Sequence, residues 1–337
     1  MKKGNVHPLY NDVCQFDNVI GLGHGHKWIR GINTRQEAVV ILVRKKMNRH
    51  SLSRSALVPG KLDGMVTDII EVGDICLHTE RKKLLRPAPP GVSIGHYKVS
   101  AGTFGAVVRD RNSNELFILS NNHVLANLTD GKDERSRPGD LVLQPGSFDN
   151  MAGANNSIAT LKKFIPVYRE LNRSECNIAH IFEKLINKMI NTFKPQYRIQ
   201  VLRNNEQVNL VDCAIAAPVH SEDISPEILE IGAIAGIKEA SLGLQVKKSG
   251  RSSGVTHSIV LATDVSMKVN ISRQESAVFA DQILAGPMSM PGDSGSVILT
   301  EDNYAVGLLF AGSEQATMFN RITNVLDALN VDLILDK

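Results

Sequence analysis

One short turn, Pro291–Ser296, constrains this chain more than any other feature, because it stands directly before the strand-like run Val297–Thr300. A glycine follows Ser294 and another lies two residues before it, so the hydroxyl can face a cleft with little bulk beside it. The same glycines let backbone N–H groups converge, and those of Gly292 and Ser294 can form an oxyanion hole. A Gly-Asp-Ser-Gly run also occurs in ordinary turns, so the function depends on what else the chain supplies.

A serine hydroxyl is a weak nucleophile, and it needs a base that is oriented by an acid. His123, one of ten histidines, stands where an apolar strand passes into a small polar turn. Asp212 is a single acid inside the apolar run Val211–Ala217, where a carboxylate without a partner would be costly to bury. The chain therefore offers a base, an acid and a nucleophile in the order His123, Asp212, Ser294.

These motifs resemble those of the chymotrypsin superfamily of serine proteases. Gly292–Ser296 is similar to the Gly-Asp-Ser-Gly-Gly/Ser motif of that superfamily, and Asn121–Val124 resembles the histidine motif of its bacterial glutamyl-endopeptidase and HtrA-type members. Val211–Ile215 resembles the aspartate strand, and Val306–Ser313 resembles the strand that lines the substrate cleft. The resemblance covers about residues 95–335. More narrowly, the chain resembles an intracellular trypsin-like group of bacteria and plants that includes plant NARROW LEAF.

The resemblance implies a mainly β fold with two antiparallel β-barrels of chymotrypsin type and the active site between them. It also implies a serine endopeptidase that acts on a protein or peptide substrate without a cofactor. His123, Asp212 and Ser294 would form the catalytic triad, and the N–H groups of Gly292 and Ser294 would form the oxyanion hole.

The resemblance also places a substrate pocket near three residues: Met288, Phe310 and Gly312. In the family, the residue six positions before the serine often stands at the base of the primary pocket, and here it is Met288. Because Met288 carries no charge, cleavage after lysine or arginine is not favoured. Together with Phe310 it predicts a small or apolar pocket.

Charge is uneven along the chain, although the net charge is only +3. Residues 1–90 carry +7, whereas residues 91–337 carry −4. The basic part is interpreted as a solvated face, with an anionic partner as the alternative. A nucleic-acid partner is not expected.

The cysteines and the lengths of the apolar runs indicate where in the cell the protein is located. The four cysteines have neither metal-type spacing nor the density of a disulfide framework, and His24 and His26 have no third metal ligand near them in sequence. No apolar segment follows the basic N-terminus, and no run approaches the roughly 20 apolar residues of a membrane helix. The sequence therefore predicts a cytoplasmic protein with no bound metal and no membrane partner, and it leaves homo-oligomer formation open.

Composition predicts three regions, with a boundary at the proline-rich run Arg86–Gly91. Residues 1–90 are predicted to form a small α/β domain and residues 91–225 the first barrel. Residues 226–337 are predicted to form the second barrel, followed by a C-terminal helix. A helical insertion near residues 165–200 interrupts the first barrel. Residues 177–193 have apolar side chains at helical spacing, and we expect this stripe to pack on the barrel, with partner binding as the alternative.

Two other functions compete with an active protease. An inactive scaffold would keep the fold and bind partners through residues 1–90, but the complete triad argues against it. An HtrA-like protease-chaperone would usually carry an asparagine where Asp293 stands, and no peptide-binding module follows the second barrel.

Asp293 also bears on activation, because in many family members it pairs with a new amino terminus released by cleavage. The only loose resemblance to such a cleavage point is Lys98–Gly102. We therefore expect Asp293 to pair with an internal lysine, arginine or backbone N–H, and the uncut chain to be active.

Overall fold

The computed structural model describes residues 9–16, 18–29, 31–47, 57–72, 81–99, 101–150, 156–174, 176–272 and 275–336. The chain divides into two compact units, residues 1–79 and 80–337. The division thus falls before residue 80, whereas the sequence suggested a boundary after residue 90.

The proline-rich run is folded into the second unit. Ala88 is fully buried, its N–H donates to the Asp223 carbonyl (2.7 Å), and its own carbonyl accepts from the N–H of Ser225 (3.0 Å). Proline fixes its own φ, so a proline-rich stretch holds an extended path against a core as readily as it spans a gap between domains.

The first unit is a small sheet with one helical turn. Its strands follow the order β1-β2-β4-β3, with β1 and β2 antiparallel and β2 and β4 parallel. Valines and isoleucines from β1 and β2 pack against α1 and form its core. The glycine-rich segment with His24 and His26 lies in the edge strand β1. The elements are α1 (Tyr10–Val13), β1 (Val19–Ile29), β2 (Ile32–Val43), β3 (Lys61–Leu62) and β4 (Met65–Glu71).

The second unit opens with an antiparallel sheet whose strand order is β21-β7-β8-β13-β10-β9-β5-β6. Its apolar strands are short and separated by turns, as the sequence predicted. The elements up to the end of this region are β5 (Ser93–His96), β6 (Gly102–Thr103), β7 (Ala106–Asp110), β8 (Leu116–Ser120), α2 (Asn122–Leu125), β9 (Leu141–Leu143), β10 (Ser157–Phe164), β11 (Leu171–Arg173), α3 (Asn177–Phe193), β12 (Leu202–Asn204) and β13 (Ala214–Pro218).

The second sheet of this unit closes into a barrel. Its order is β14-β19-β18-β15-β16-β17-β20, and β20 also pairs with β19, so six strands form a ring. With two antiparallel β regions, the predicted mainly β class is confirmed. The remaining elements are β14 (Gly236–Ile237), β15 (Gln245–Gly250), β16 (Gly254–Asn270), β17 (Ser276–Ala285), β18 (Val297–Thr300), β19 (Tyr304–Gly312), β20 (Thr317–Arg321), α4 (Ile322–Leu329) and β21 (Val331–Leu333).

One hydrophobic core joins the two β regions. It contains Phe117 and Leu119 from β8, Val297 and Leu299 from β18, and the apolar face of α4. After α4 the chain returns to the first region, where β21 pairs antiparallel with β7. Residues 331–333 therefore belong to the first sheet rather than to the second barrel, because the apolar side chains of β21 complete the shared core.

The insertion forms the predicted helix, and α3 spans the predicted residues 177–193. The expectation that its apolar stripe packs on the barrel is wrong. Ile178, Met189 and Phe193 are 67%, 68% and 79% exposed, and Glu183 is the buried residue of α3. The return segment between α3 and β12 explains this orientation, because it occupies the polar side of the helix: Asn187 donates to the Ile199 carbonyl and accepts from its N–H, both at 2.8 Å.

Cys14, Cys176 and Cys213 are free thiols, and Cys76 lies outside the described residues. Burial raises the pKa of the Cys213 thiol well above its ordinary value, and the neighbouring Asp212 carboxylate adds to this effect. In the part of the chain that the structure describes, no helix is both long and apolar enough to cross a membrane.

Candidate active site

His123 lies on the single helical turn α2, which begins two residues after β8 ends. The turn is held by Asn122, whose buried side-chain amide donates to the carbonyls of Thr129 (3.0 Å) and Ile165 (2.7 Å). The Asn122 side-chain oxygen accepts the N–H of Thr129 at 3.0 Å. This asparagine therefore fixes where the chain leaves the strand, and with it the position of the imidazole.

Asp212 meets His123 through two hydrogen bonds. One carboxylate oxygen lies 2.5 Å from His123 Nδ1, and the other accepts the His123 backbone N–H at 3.2 Å. The Asp212 side chain is only 3% exposed. Because β13 pairs with β8, with Ala214 opposite Ser120, the sheet register itself brings the acid beside the histidine. The pairing holds the proton on Nδ1 and leaves Nε2 as the basic nitrogen.

Two neighbouring asparagines fix the backbone of Asp212. Asn121 donates its side-chain amide to the Asp212 carbonyl (2.7 Å), and the Asp212 N–H donates to the side-chain oxygen of Asn320 (3.0 Å). Asn121 and Asn320 are both fully buried. The role of Asn320 was not predicted from the sequence, although an amide directly after the apolar pair Met318–Phe319 was a signal that a buried partner was needed.

Ser294 stands in the tight turn before β18, as predicted. The turn requires both glycines: Gly292 has φ 99° and Gly295 has φ 97°, values that side-chain-bearing residues rarely adopt. A Cβ at Gly295 would also overlap the Ser120 hydroxyl and the Thr103 carbonyl. The backbone is thus forced into a shape that presents the Ser294 side chain at the junction of the two β regions.

The junction is closed by hydrogen bonds from Thr103 of β6. Its N–H donates to the Ser294 carbonyl (2.8 Å), and its hydroxyl donates to the Gly292 carbonyl (2.9 Å). The same hydroxyl accepts the N–H of Arg251 at 3.0 Å. Thr103 therefore fixes the orientation of the Gly292 carbonyl through this hydrogen bond. From the sequence, Thr103 was predicted only to begin a strand.

The N–H groups of Gly292 and Ser294 donate no hydrogen bond among the described residues. The other amides of the turn do: Asp293 donates to the Met290 carbonyl (2.9 Å), and Gly295 donates to the Leu309 carbonyl (2.8 Å). The turn therefore uses the N–H groups of Asp293 and Gly295 in internal hydrogen bonds. It leaves those of Gly292 and Ser294 as two donors for an incoming anionic oxygen.

The Ser294 hydroxyl donates to the Phe310 carbonyl at 3.3 Å. Within the described residues, no hydrogen bond joins this hydroxyl to His123. Such bonds are often long in unliganded sites and tighten when substrate binds, so the geometry agrees with a resting serine that has yet to turn toward its base.

The predicted pocket residues lie together beside this turn, but two of them point away from solvent. Met288 belongs to the hydrophobic core of the second barrel, and Phe310 packs on Phe279 with ring centroids 4.7 Å apart. A Cβ at Gly312 would overlap the hydroxyl of Ser289. Because the side chains of Met288 and Phe310 are buried, the small apolar pocket stays a prediction.

Asp293 is fully buried and pairs with an internal lysine, as predicted. Its carboxylate lies 3.1 Å from Lys248 Nζ and accepts the N–H groups of Ser252 (2.8 Å), Ser253 (3.1 Å) and Met290 (2.9 Å). Burial raises the pKa of Asp293, but the charge of Lys248 and the hydrogen bonds outweigh burial and hold the pKa below its ordinary value. The sequence alone did not indicate which lysine would serve.

We expect Asp293→Asn to lower the free energy of unfolding at neutral pH by about 3 kcal/mol, because it leaves the Lys248 charge buried without its partner. The folded-state pKa of Asp293 is depressed, so its contribution is fully present above about pH 4 and is lost as the pH falls through the folded-state value. Urea denaturation should therefore show a difference between the two proteins that shrinks below about pH 4.

The matched control is Asp332→Asn, which removes an exposed carboxylate that pairs with Arg111 at 2.9 Å. A surface ion pair of this kind contributes about 0–1 kcal/mol. If Asp293→Asn is no more destabilising than Asp332→Asn at neutral pH, the Asp293–Lys248 pair does not stabilise the turn.

Comparison with known proteins comes from structure alone. No protein-family model and no curated protein matches the chain. A chymotrypsin from Cellulomonas bogoriensis is similar in structure at 16% identity, over 73% of this chain and 98% of that protein, with a TM-score of 0.45. Protease A from Thermobifida fusca (12% identity, 73% and 98%) and a Nocardiopsis protease (14%, 73% and 99%) also have TM-scores of 0.45.

These proteins are chymotrypsin-like serine proteases, the superfamily that the sequence motifs resemble. Membership of the narrower group that includes plant NARROW LEAF stays a prediction.

Proposed function

We propose that this chain is a serine endopeptidase that hydrolyses peptide bonds through His123, Asp212 and Ser294. The observation that carries the proposal is the bond between Asp212 and His123 Nδ1, in a site where Ser294 and two open backbone N–H groups come from the second β region. A buried acid bonded to a half-exposed histidine is the arrangement that prepares an imidazole to accept a proton.

In this mechanism, His123 Nε2 takes the proton from the Ser294 hydroxyl as Oγ attacks the peptide carbonyl carbon. The carbonyl π electrons move onto the oxygen, and the resulting anion accepts hydrogen bonds from the N–H groups of Gly292 and Ser294. The imidazolium then gives its proton to the leaving amine, and an acyl-enzyme forms. Water, deprotonated by the same nitrogen, releases the acid and restores the serine.

Asp212 orients the imidazole and takes no proton in this cycle. Its contacts with His123 Nδ1 and with the His123 N–H favour the tautomer in which Nε2 is the base.

Activity without cleavage is part of the proposal. Lys248 already supplies the positive charge that Asp293 needs, and three backbone N–H groups complete the shell of the carboxylate. The turn that carries the oxyanion donors therefore has its support within the uncut chain. We also propose a cytoplasmic location, which agrees with three free thiols among the described residues.

The test is labelling with a fluorophosphonate probe, using protein whose mass confirms an intact Met1 end. We expect stoichiometric labelling of the uncut chain and none of Ser294→Ala. Labelling only of material cut after Lys98 would make the protein a zymogen. An intact chain that never reacts would favour the inactive scaffold, which keeps the fold and binds partners through residues 1–90.

A further inference from the structure

The insertion presents the apolar side of α3 to solvent. Six of its large apolar residues are more than half exposed, and no other helix or strand of the described residues makes an extensive contact with α3. Soluble monomers rarely expose a contiguous apolar patch of this kind unless it binds something. The six residues are Ile178, Ile181, Phe182, Leu185, Met189 and Phe193.

The helix is held by its polar side, which makes the outward orientation a property of the fold. His180, Glu183, Asn187 and Asn191 face the return segment and, with Lys184, Lys188 and Arg198, line a cavity of about 350 Å³. Asn187 makes two backbone hydrogen bonds to Ile199 across it. An amphipathic helix normally buries its apolar stripe, so this reversed arrangement indicates that the stripe is covered by something outside the fold.

The charge around the stripe indicates the chemistry of that cover. Between residues 176 and 204 five cationic side chains are exposed, and Glu183, which is the acidic residue of this segment, is buried. Residues 176–204 therefore expose apolar and basic side chains and no acidic one, although residues 91–337 as a whole carry −4. The exposed cations are Lys184, Lys188, Lys194, Arg198 and Arg203.

We propose that α3 docks on an anionic lipid surface, with its axis parallel to the membrane plane. Isoleucine, leucine, methionine and phenylalanine side chains enter the boundary between headgroups and acyl chains, as in other interfacial amphipathic helices. The lysines and arginines contact the phosphate groups of anionic headgroups. This departs from the sequence-based expectation of no membrane partner, which considered only spanning segments.

A second copy of the chain fits the surface less well. Pairing two insertions would bring five cations from each copy together, and residues 176–204 expose no anion to offset their repulsion. The outward face of α3 also carries no asparagine among its exposed apolar residues to fix the register of a helix pair, the function that a buried asparagine serves in coiled coils. Docking on a lipid surface requires neither an exposed anion on this chain nor a residue that fixes a register.

The experiment is co-sedimentation of the full chain with vesicles of phosphatidylcholine alone, or of phosphatidylcholine with about one part in four of phosphatidylglycerol. We expect binding to the anionic vesicles, weakening with salt because the cations are exposed. Phe182→Ser/Met189→Ser should lower the partition coefficient at least tenfold. Lys184→Glu/Lys188→Glu should lower it by about tenfold or more, since each basic residue contributes roughly 1 kcal/mol at such a surface.

Leu242→Ser/Lys238→Glu is the matched control, because it removes an exposed leucine and an exposed lysine outside the insertion; its partition should match that of the unmodified chain. Ser294→Ala should also bind as the unmodified chain does, which separates this proposal from the proposed protease activity. The substituted side chains other than Ser294 are exposed, and thermal unfolding should confirm that each variant folds.

Three results would overturn the proposal. One is no sedimentation with either vesicle. Another is equal binding to neutral and anionic vesicles, which would show that the basic residues do not contribute to binding. The third is a dimer in vesicle-free solution by light scattering that Phe182→Ser/Met189→Ser dissociates, since the stripe would then be covered by a second copy of the chain.

Discussion

Ser294→Ala and His123→Ala are each expected to lower kcat/KM for any cleaved peptide by about 10⁵- to 10⁶-fold, the loss that nucleophile and base show when they act as a unit. The double variant should fall no further, because either change already removes the attack by an activated hydroxyl. Folding should be unaffected by Ser294→Ala, since its hydroxyl makes a single long bond to the Phe310 carbonyl. Steady-state kinetics on a fluorogenic peptide and thermal unfolding of each variant check both parts.

The matched control for this prediction is Ser113→Ala. Ser113 is an exposed turn serine of the same unit, whose hydroxyl accepts the N–H of Glu115 at 3.4 Å. We expect it to keep normal turnover. Near-normal turnover in Ser294→Ala would show that the nucleophile lies elsewhere.

Asp212→Asn is expected to lower kcat by about 10⁴-fold, the size of the effect in a related triad. An asparagine at this position can present its amide N–H to His123 Nδ1, which favours the tautomer whose proton sits on Nε2. The imidazole then cannot accept the proton of Ser294. Activity at high pH and under substrate saturation separates this loss of kcat from a change in KM.

Asp223→Asn is the control, because the sequence left Glu222 and Asp223 as alternative acids. Asp223 pairs with Arg86 at 3.8 Å in a short 3-10 turn, whereas Asp212 touches the histidine. Asp223→Asn should therefore keep its activity. Full activity in Asp212→Asn together with loss in Asp223→Asn would transfer the role to Asp223.

Local patterns predicted much of this molecule. The apolar spacing of residues 177–193 gave the limits of α3, because helical periodicity depends only on near neighbours. The turn at Ser294 was predicted for a similar reason, since both of its glycines lie within two residues of the serine. The side of α3 that faces the protein could not be predicted, because it depends on a return segment whose own sequence has no strong pattern.

Contacts between distant residues were also beyond the sequence. Thr103 and Gly292 are 189 positions apart, and Asp212 and Asn320 are 108 apart. Each pairs a polar group of one β region with the backbone of the other. No local pattern encodes such a partner, although a single polar residue in an apolar strand marks where one is needed. The prediction that Asp293 pairs with an internal donor was correct, because a buried carboxylate requires one. Only the fold identified that donor as Lys248.

The bonds from Thr103 and Asn320 also set an order of events during synthesis. On the ribosome, β6 and α2 emerge long before the serine turn, and Asp212 gains the hydrogen bond to its N–H only after residue 320 has left the exit tunnel. Since β21 then pairs with β7, residues 331–333 complete the sheet that holds the histidine. A nascent chain therefore carries no assembled site until both β regions have been synthesised. For a protein proposed to cut peptide bonds, this delay would keep a partly synthesised chain from cleaving its neighbours.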